Sequence, residues 1–341
     1  MKYNFLKYLV FSIIIYQFIN NQSKAQDSLF TINKIYNYYD LSSEIFRHAS
    51  IIFDAFLINN PKLFLTNDEL ISQNDNGKLI RYGLNKHFFN KLAFSNNIIY
   101  LINKFNNIVN KVENGINYTF NNSSVASLNL ETYTIDNYNS LWLIYYNFVL
   151  KKTKIINWRN MNIREFNCKY DIYDYEAKLI IPFNHKILCF GIDLFKKPVL
   201  IEITDTTEKF IELLSDDEFE SSYYNYFINN NKIYIIGING DLFIIDENLN
   251  SISQKINKIK FHCFNFIVTD ENLLVPYEKG IMEYNLTDHK KRYLKLENDL
   301  NLNYSVRLQY DKVNHKLFIL FGNNIRTSEC DRISKILYFY Y

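Results

Sequence analysis

Short apolar runs, each introduced by a polar turn, recur along the chain at intervals near 42 residues. They begin at Leu63, Ile98, Leu141, Ile187, Ile233, Leu273 and Leu317, with successive steps of 35, 43, 46, 46, 40 and 44. Steps this even point to one structural unit repeated, with loop insertions absorbing the differences. Four of the runs share a lead-in: Asn60-Pro61-Lys62-Leu63, Asn184-His185-Lys186-Ile187, Asn230-Asn231-Lys232-Ile233 and Asn314-His315-Lys316-Leu317. Asn tolerates a left-handed backbone and can bond its own chain two residues on, so it opens a tight turn. With only 8 Gly in 341 residues, Asn takes over the work that Gly usually does in hairpins.

A second turn and a second strand follow each run, most plainly from Ile233 to Ile238, then Asn239-Gly240, then Leu242 to Ile245. Asn-Gly between apolar runs is the strongest short-range hairpin signal. Similar second strands are predicted near Leu79, Ile108, Val199, Ile281 and Ile325. Segments ahead of the anchors, such as Tyr223 to Ile228 and Phe261 to Val268, supply further strands. Three to four strands per 40 to 45 residues is the period of a propeller blade. The expected fold is therefore all-β, a β-propeller of about seven four-stranded blades, with six to eight compatible with the spacing. A ring must close to remove its edges, so the terminal strand from Ile333 to Tyr341 is expected to complete a blade begun near residue 50.

The stretch from Asn231 to Asp246, NKIYIIGINGDLFIID, resembles the strand-turn-strand core of divergent propellers such as the quinoprotein-like and kelch-like groups, with WD40-like repeats as a broader comparison. The resemblance implies the fold and no functional residue, because the chain has no Trp-Asp dipeptide closing its units, no Gly-Gly pair and no Asp-rich quinone or calcium signature.

The first residues read differently. Lys2 and Lys7 precede an apolar stretch from Leu9 to Ile19, and Ser23-Lys24-Ala25 follows. This is the grammar of a signal peptide, cleaved between Ala25 and Gln26; the apolar run is about half of the roughly 20 residues that span a bilayer. The expected organisation is a signal peptide at 1–25, a lead-in at 26–48 that is a short helix or irregular, and one propeller domain at 49–341. The expected location is secreted or periplasmic. No later stretch approaches 18 consecutive apolar residues, so no membrane-spanning helix is predicted after processing. Loss of residues 1–25 takes three lysines and no acid from 38 basic and 36 acidic side chains, leaving a net charge near −1 that gives nucleic acid no foothold.

Aromatic residues make up 17% of the chain. Abundant Asn, Ile, Lys, Tyr and Phe are what AT-rich codons encode, so this share is not read as a ligand-stacking surface. Buried rings do supply a dense core, each removing about 150 to 250 Å² from water. Cys168, Cys189, Cys263 and Cys330 are far apart without a C-x-x-C spacing, which argues against zinc and leaves three disulfide pairings open.

The sequence places no catalytic, cofactor-binding or metal-binding residue. His48, His87, His185, His262, His289 and His315 show no ligand spacing, and His185 and His315 sit in equivalent turns. His262 and Cys263 are adjacent, and neighbours on a strand face opposite sides. The acidic run from Ser215 to Glu220 lacks the alternating ligands and central Gly of a calcium loop. Asn117, Asn121, Asn122, Asn285 and Asn303 open N-x-[ST] triplets. The alternation of Leu337, Phe339 and Tyr341 also looks like the closing strand of an outer-membrane barrel. The leading functional expectation is an exported binding or scaffold propeller that recognises a protein, glycan or small ligand through loops on one face, without catalysis or cofactor. The alternatives are an extracellular or periplasmic propeller enzyme acting on a polymer, and the membrane barrel.

Overall fold

The anchor runs are continuously apolar, where a strand with one wet face would alternate. The computed structural model shows why. It describes residues 30–34, 37–38, 52–57, 61–66, 69–84, 89, 91–95, 98–103, 108–113, 116–121, 128–147, 150, 152–159, 162–166, 168–170, 173–204, 208–213, 221, 223–256, 265–277, 280–296, 304–322 and 333–341. Every anchor falls on the second strand of a sheet, and both faces of that strand are covered. In Lys232–Gly237, Ile233 and Ile235 pack toward the preceding sheet, against Phe190 and Leu200. Tyr234 and Ile236 pack toward the following one, against Leu273 and Met282.

The same two-sided burial repeats around the molecule. The second strands are Lys62–Thr66, Ile98–Asn103, Leu141–Asn147, Lys186–Asp193, Lys232–Gly237, Asn272–Tyr277 and Lys316–Gly322. Each pairs antiparallel with an inner and a third strand. Seven apolar clusters lie between consecutive units, and one of them joins the last unit to the first through Phe318, Leu320 and Ile336 against Ile52, Phe64 and Ile71. A cluster at every junction, including that one, closes the ring. The fold is a seven-bladed β-propeller, numbered here as blades 1 to 7 from residue 52 onward.

Polarity rises outward. The outermost strand of blade 5, Ser251–Lys255, is mostly exposed, whereas the third, Asp241–Ile245, is almost wholly buried. Burying one Leu or Ile side chain contributes about 1.5–3 kcal/mol, so the inner three strands of each blade hold the ring together.

The hairpin turns follow the local chemistry read from the sequence. Asn184 and His185 (φ 46° and 63°), and Asn230 and Asn231 (φ 50° and 54°), are both left-handed. Two such residues make the turn whose twist matches its flanking strands. Gly240 sits at φ 87°, and a Cβ there would lie 2.2 Å from the Ile256 carbonyl oxygen. Gly240→Ala is expected to lower stability by about 2 kcal/mol or more, measurable as a shift in the urea midpoint.

Three sequence expectations change. In blade 1 the strand after the anchor is Glu69–Gln73, and Leu79 opens the outermost strand, Leu79–Gly83. Across the link at 67–68, Thr66 Oγ1 donates to the Glu69 carbonyl at 2.9 Å and accepts its N–H at 3.1 Å, so a Thr side chain closes this hairpin. The terminal strand Ile333–Tyr340 is the third strand of blade 7, paired along its length with Lys316–Gly322. It touches the blade begun near residue 50 only through Ile52 opposite Ile333. The outer strand on it is Asn37–Tyr38, and Phe30–Lys34 adds in parallel to Lys291–Leu296 of blade 6. Blades 6 and 7 are thus edged by the beginning of the chain. The barrel reading of Leu337, Phe339 and Tyr341 is corrected too, since Leu337 and Phe339 pack into the core between blades 6 and 7. Residues Ser42 to Glu44 and the strand expected near Ile325 lie outside the described residues. Among the described residues no helix is long and apolar enough to cross a membrane.

Candidate functional site

Each blade turns its inner strand toward the ring axis, so residues that break the apolar rule on those strands meet there. Four inner strands carry a bulge next to a charge, at Asp54, Glu131, Lys178 and Arg307, and two of these charges meet. In Ile52–Phe56 the register shifts between Ile52 and Asp54, and in Tyr304–Asp311 it shifts between Ser305 and Arg307. A bulge puts two residues opposite one and re-aims the side chain beside it. Asp54 and Arg307 form an ion pair joining blades 1 and 7.

Asp54 is almost fully buried, with 2% of its side chain exposed, whereas Arg307 exposes 27%. The carboxylate also accepts the Ala55 N–H at 2.9 Å and, on its other oxygen, the Leu92 N–H of blade 2 at 3.0 Å. Tyr133 of blade 3 donates its hydroxyl to the Leu92 carbonyl at 3.4 Å and accepts from Arg307. Four blades therefore converge on one buried acid. Burial, with Asp54's negative charge adding to it, holds the Tyr133 hydroxyl well above the ordinary phenol range. Burial alone would lower Arg307, but Asp54 and Tyr133 outweigh it and raise the guanidinium above its usual value.

Further bonds continue around the axis. Gln309 Nε2 donates to the Ala55 carbonyl at 2.7 Å, and its Oε1 accepts the Leu57 N–H at 2.8 Å. Asn265 of blade 6 accepts the Leu308 N–H at 2.8 Å. The hydroxyls of Thr134 and Tyr226 meet at 2.7 Å, linking blade 3 to blade 5 directly.

These side chains surround a cavity of about 460 Å³ on the axis. Its wall is built from the inner strands of every blade except blade 4. Phe56 and Phe94 of blades 1 and 2 have ring centroids 6.5 Å apart, and Phe227 and Phe266 of blades 5 and 6 are 6.3 Å apart. The size and the mixture of apolar wall with a few placed polar groups suit a small ligand. No Asp, Glu or His lines the cavity among the described residues.

The residues singled out from the sequence lie elsewhere. His185 and His315 are exposed turn residues with positive φ. His289 Nδ1 is 2.7 Å from the Tyr284 hydroxyl, outside the cavity. Cys168 and Cys189 are buried and unbridged, sharing the core between blades 3 and 4. Burial pushes the Cys168 thiol up to about 12 and Cys189 well above its ordinary value, which makes them poor nucleophiles. Asn285 is spent on its own turn, accepting from Thr287 and Asp288 N–H while donating to Asn272 at 3.0 Å. The side chains of Asn117 and Asn121, and Ala25, Gln26, His48, His87, Asn122, the acidic run 215–220, His262, Cys263, Asn303 and Cys330, lie outside the described residues.

Asp54, Arg307, Tyr133 and Asn265 do not stand out in the sequence pattern. Asp54 did carry a signal: it is the one acid inside the apolar stretch from Ile51 to Ile58, and a buried charge requires a partner.

The fold has solved relatives in shape. Virginiamycin B lyase from Staphylococcus aureus, solved as a catalytically inactive variant with quinupristin, superposes with a TM-score of 0.60 at 12% identity, over 89% of this chain and 98% of that one. Streptogramin B lyase gives 0.56 at 11% identity, over 85% and 93%. The WD40 β-propeller domain of Doa1 gives 0.53 at 11% identity, over 84% and 92%. No family model and no curated protein matches the sequence. At such identities the likeness is one of fold, which hosts both enzymes and interaction domains.

Proposed function

We propose that this chain is an exported propeller that binds a small ligand in its axial cavity and does no chemistry on it. The observation that carries the reading is the state of the cavity's polar groups. General acid-base catalysis needs a group that titrates near the working pH. Here the Tyr133 hydroxyl bonds the Leu92 carbonyl and accepts from Arg307, and the guanidinium is paired with Asp54 behind the wall, so both are held in place by the protein. Such groups hold a ligand without exchanging protons with it. The export part of the proposal rests on the leader-like first 25 residues.

A test uses the immobilised protein and native extracellular or periplasmic fluid, beside the variant Ser95→Trp. Ser95 lines the cavity, so an indole there fills it. Mass spectrometry of the eluates is expected to find a small molecule retained by the parent protein and lost from the variant. Equal retention by both, or none, would overturn the reading. The alternative of a lyase or hydrolase draws on the named lyases of the same fold; recovery of the compound in cleaved form would favour it.

A further inference from the structure

We infer that the ligand of the axial cavity is an organic carboxylate with an aromatic or other flat apolar body. This rests on the binding reading above and adds its chemistry. The cavity's carboxamides spend their oxygens on the protein itself. Asn265 Oδ1 accepts the Leu308 N–H, Gln309 Oε1 the Leu57 N–H and Asn225 Oδ1 the Tyr226 N–H, each at 2.8 Å. What Asn265 presents is its amide nitrogen, which has no partner among the described residues, and Gln309 commits only one of its two N–H groups, to the Ala55 carbonyl.

Arg307 adds to this excess of donors. A guanidinium has five N–H groups, of which Asp54 and Tyr133 engage only some. The burial difference orients the charge: the acid is sealed behind, and the base faces the cavity. Asp54 offsets the charge of Arg307 from behind the wall, and with no acidic side chain among the described lining residues the cavity presents an excess of N–H donors, which suits a ligand end rich in acceptors such as a carboxylate. Blade 7, which carries Arg307, lies in the ring between the blade 5–6 ring pair and the blade 1–2 ring pair. A carboxylate docked at Arg307 would place its body against these aromatic walls, where apolar rings pack edge to face or offset.

The experiment compares three probes of one shape by calorimetric titration of the purified protein: 2-naphthoate, 2-naphthamide and 2-naphthylmethylammonium. Naphthoate is expected to bind at least about tenfold more tightly than the amide, from hydrogen bonds to a charged group, and the ammonium more weakly still. Asn265→Asp keeps an acceptor for the Leu308 N–H while replacing the amide donor by a negative charge. It is expected to fold as the parent does, to lose naphthoate affinity about tenfold or more, and to favour the ammonium. Ser95→Trp is expected to abolish binding of every probe. An amide or ammonium that binds as tightly as naphthoate yet is blocked by Ser95→Trp overturns the carboxylate and leaves the cavity reading standing. Naphthoate binding that ignores Ser95→Trp overturns both, and failure of all three probes at millimolar concentration overturns the carboxylate.

Discussion

Asp54→Ala is expected to destabilise the protein by about 3–5 kcal/mol, because breaking a buried ion pair strands the remaining charge. Here the loss has several parts. The Leu92 and Ala55 N–H groups lose their acceptor, Arg307 loses its counter-ion, and blades 1, 2 and 7 lose the group on which they meet. Urea unfolding followed by tyrosine fluorescence would read the change as a lowered midpoint. The double variant Asp54→Ala/Arg307→Met is expected to recover part of it, since removing both charges with apolar replacement relieves the uncompensated one. A single variant within about 1 kcal/mol of the parent would show that the pair does not fasten the ring.

The second large effect concerns the end of the chain. Removal of residues 333–341 takes out Ile336, Leu337 and Phe339, all buried in the cores on either side of blade 7. Large-to-small substitution at such positions costs about 2–5 kcal/mol each. Three losses of that kind reach the roughly 5–15 kcal/mol by which ordinary domains are stable. The truncated chain is expected to show no cooperative thermal transition. Tyr340→Ala, at a side chain that is 62% exposed, is the control, with an expected change under about 1 kcal/mol. A truncation that melts like the parent would mean that the ring tolerates a Lys316–Gly322 strand paired only with Tyr304–Asp311.

The fold was legible because its repeat is written in the second strands. Each must be apolar on both parities to fill two inter-blade cores, and the turn before it needs residues that accept a left-handed backbone, as at Asn184 and Asn230. The first demand recurs at every blade and the second at blades 3, 4, 5 and 7, where Asn or His takes the left-handed position in a sequence poor in Gly. The site was not legible because it is made of exceptions. Asp54 and Arg307 stand next to bulges, so the alternation that assigns faces fails at those positions, and they are 253 residues apart in the chain. Asn265 looks like any Asn in an Asn-rich chain; only the partner of its oxygen reveals what its nitrogen offers. A third feature escaped for a related reason. Asp136, Asp193 and Asp246 each accept two backbone N–H groups, two and four residues on, around a left-handed Asn139, Lys196 or Leu249. These loops join different strands in blades 3, 4 and 5, so they share geometry without sharing a place in the repeat.

The strands at Phe30–Lys34 and Asn37–Tyr38 lock the start of the chain onto its last two blades. During synthesis the circle stays open until residues 333–341 emerge, with the flank of blade 1 uncovered and an early strand waiting for a late partner. Two nascent or refolding chains held close together can satisfy each other's missing edge in that interval. Refolding at rising protein concentration should therefore yield dimers built by exchange of these segments, and dilution should yield monomers.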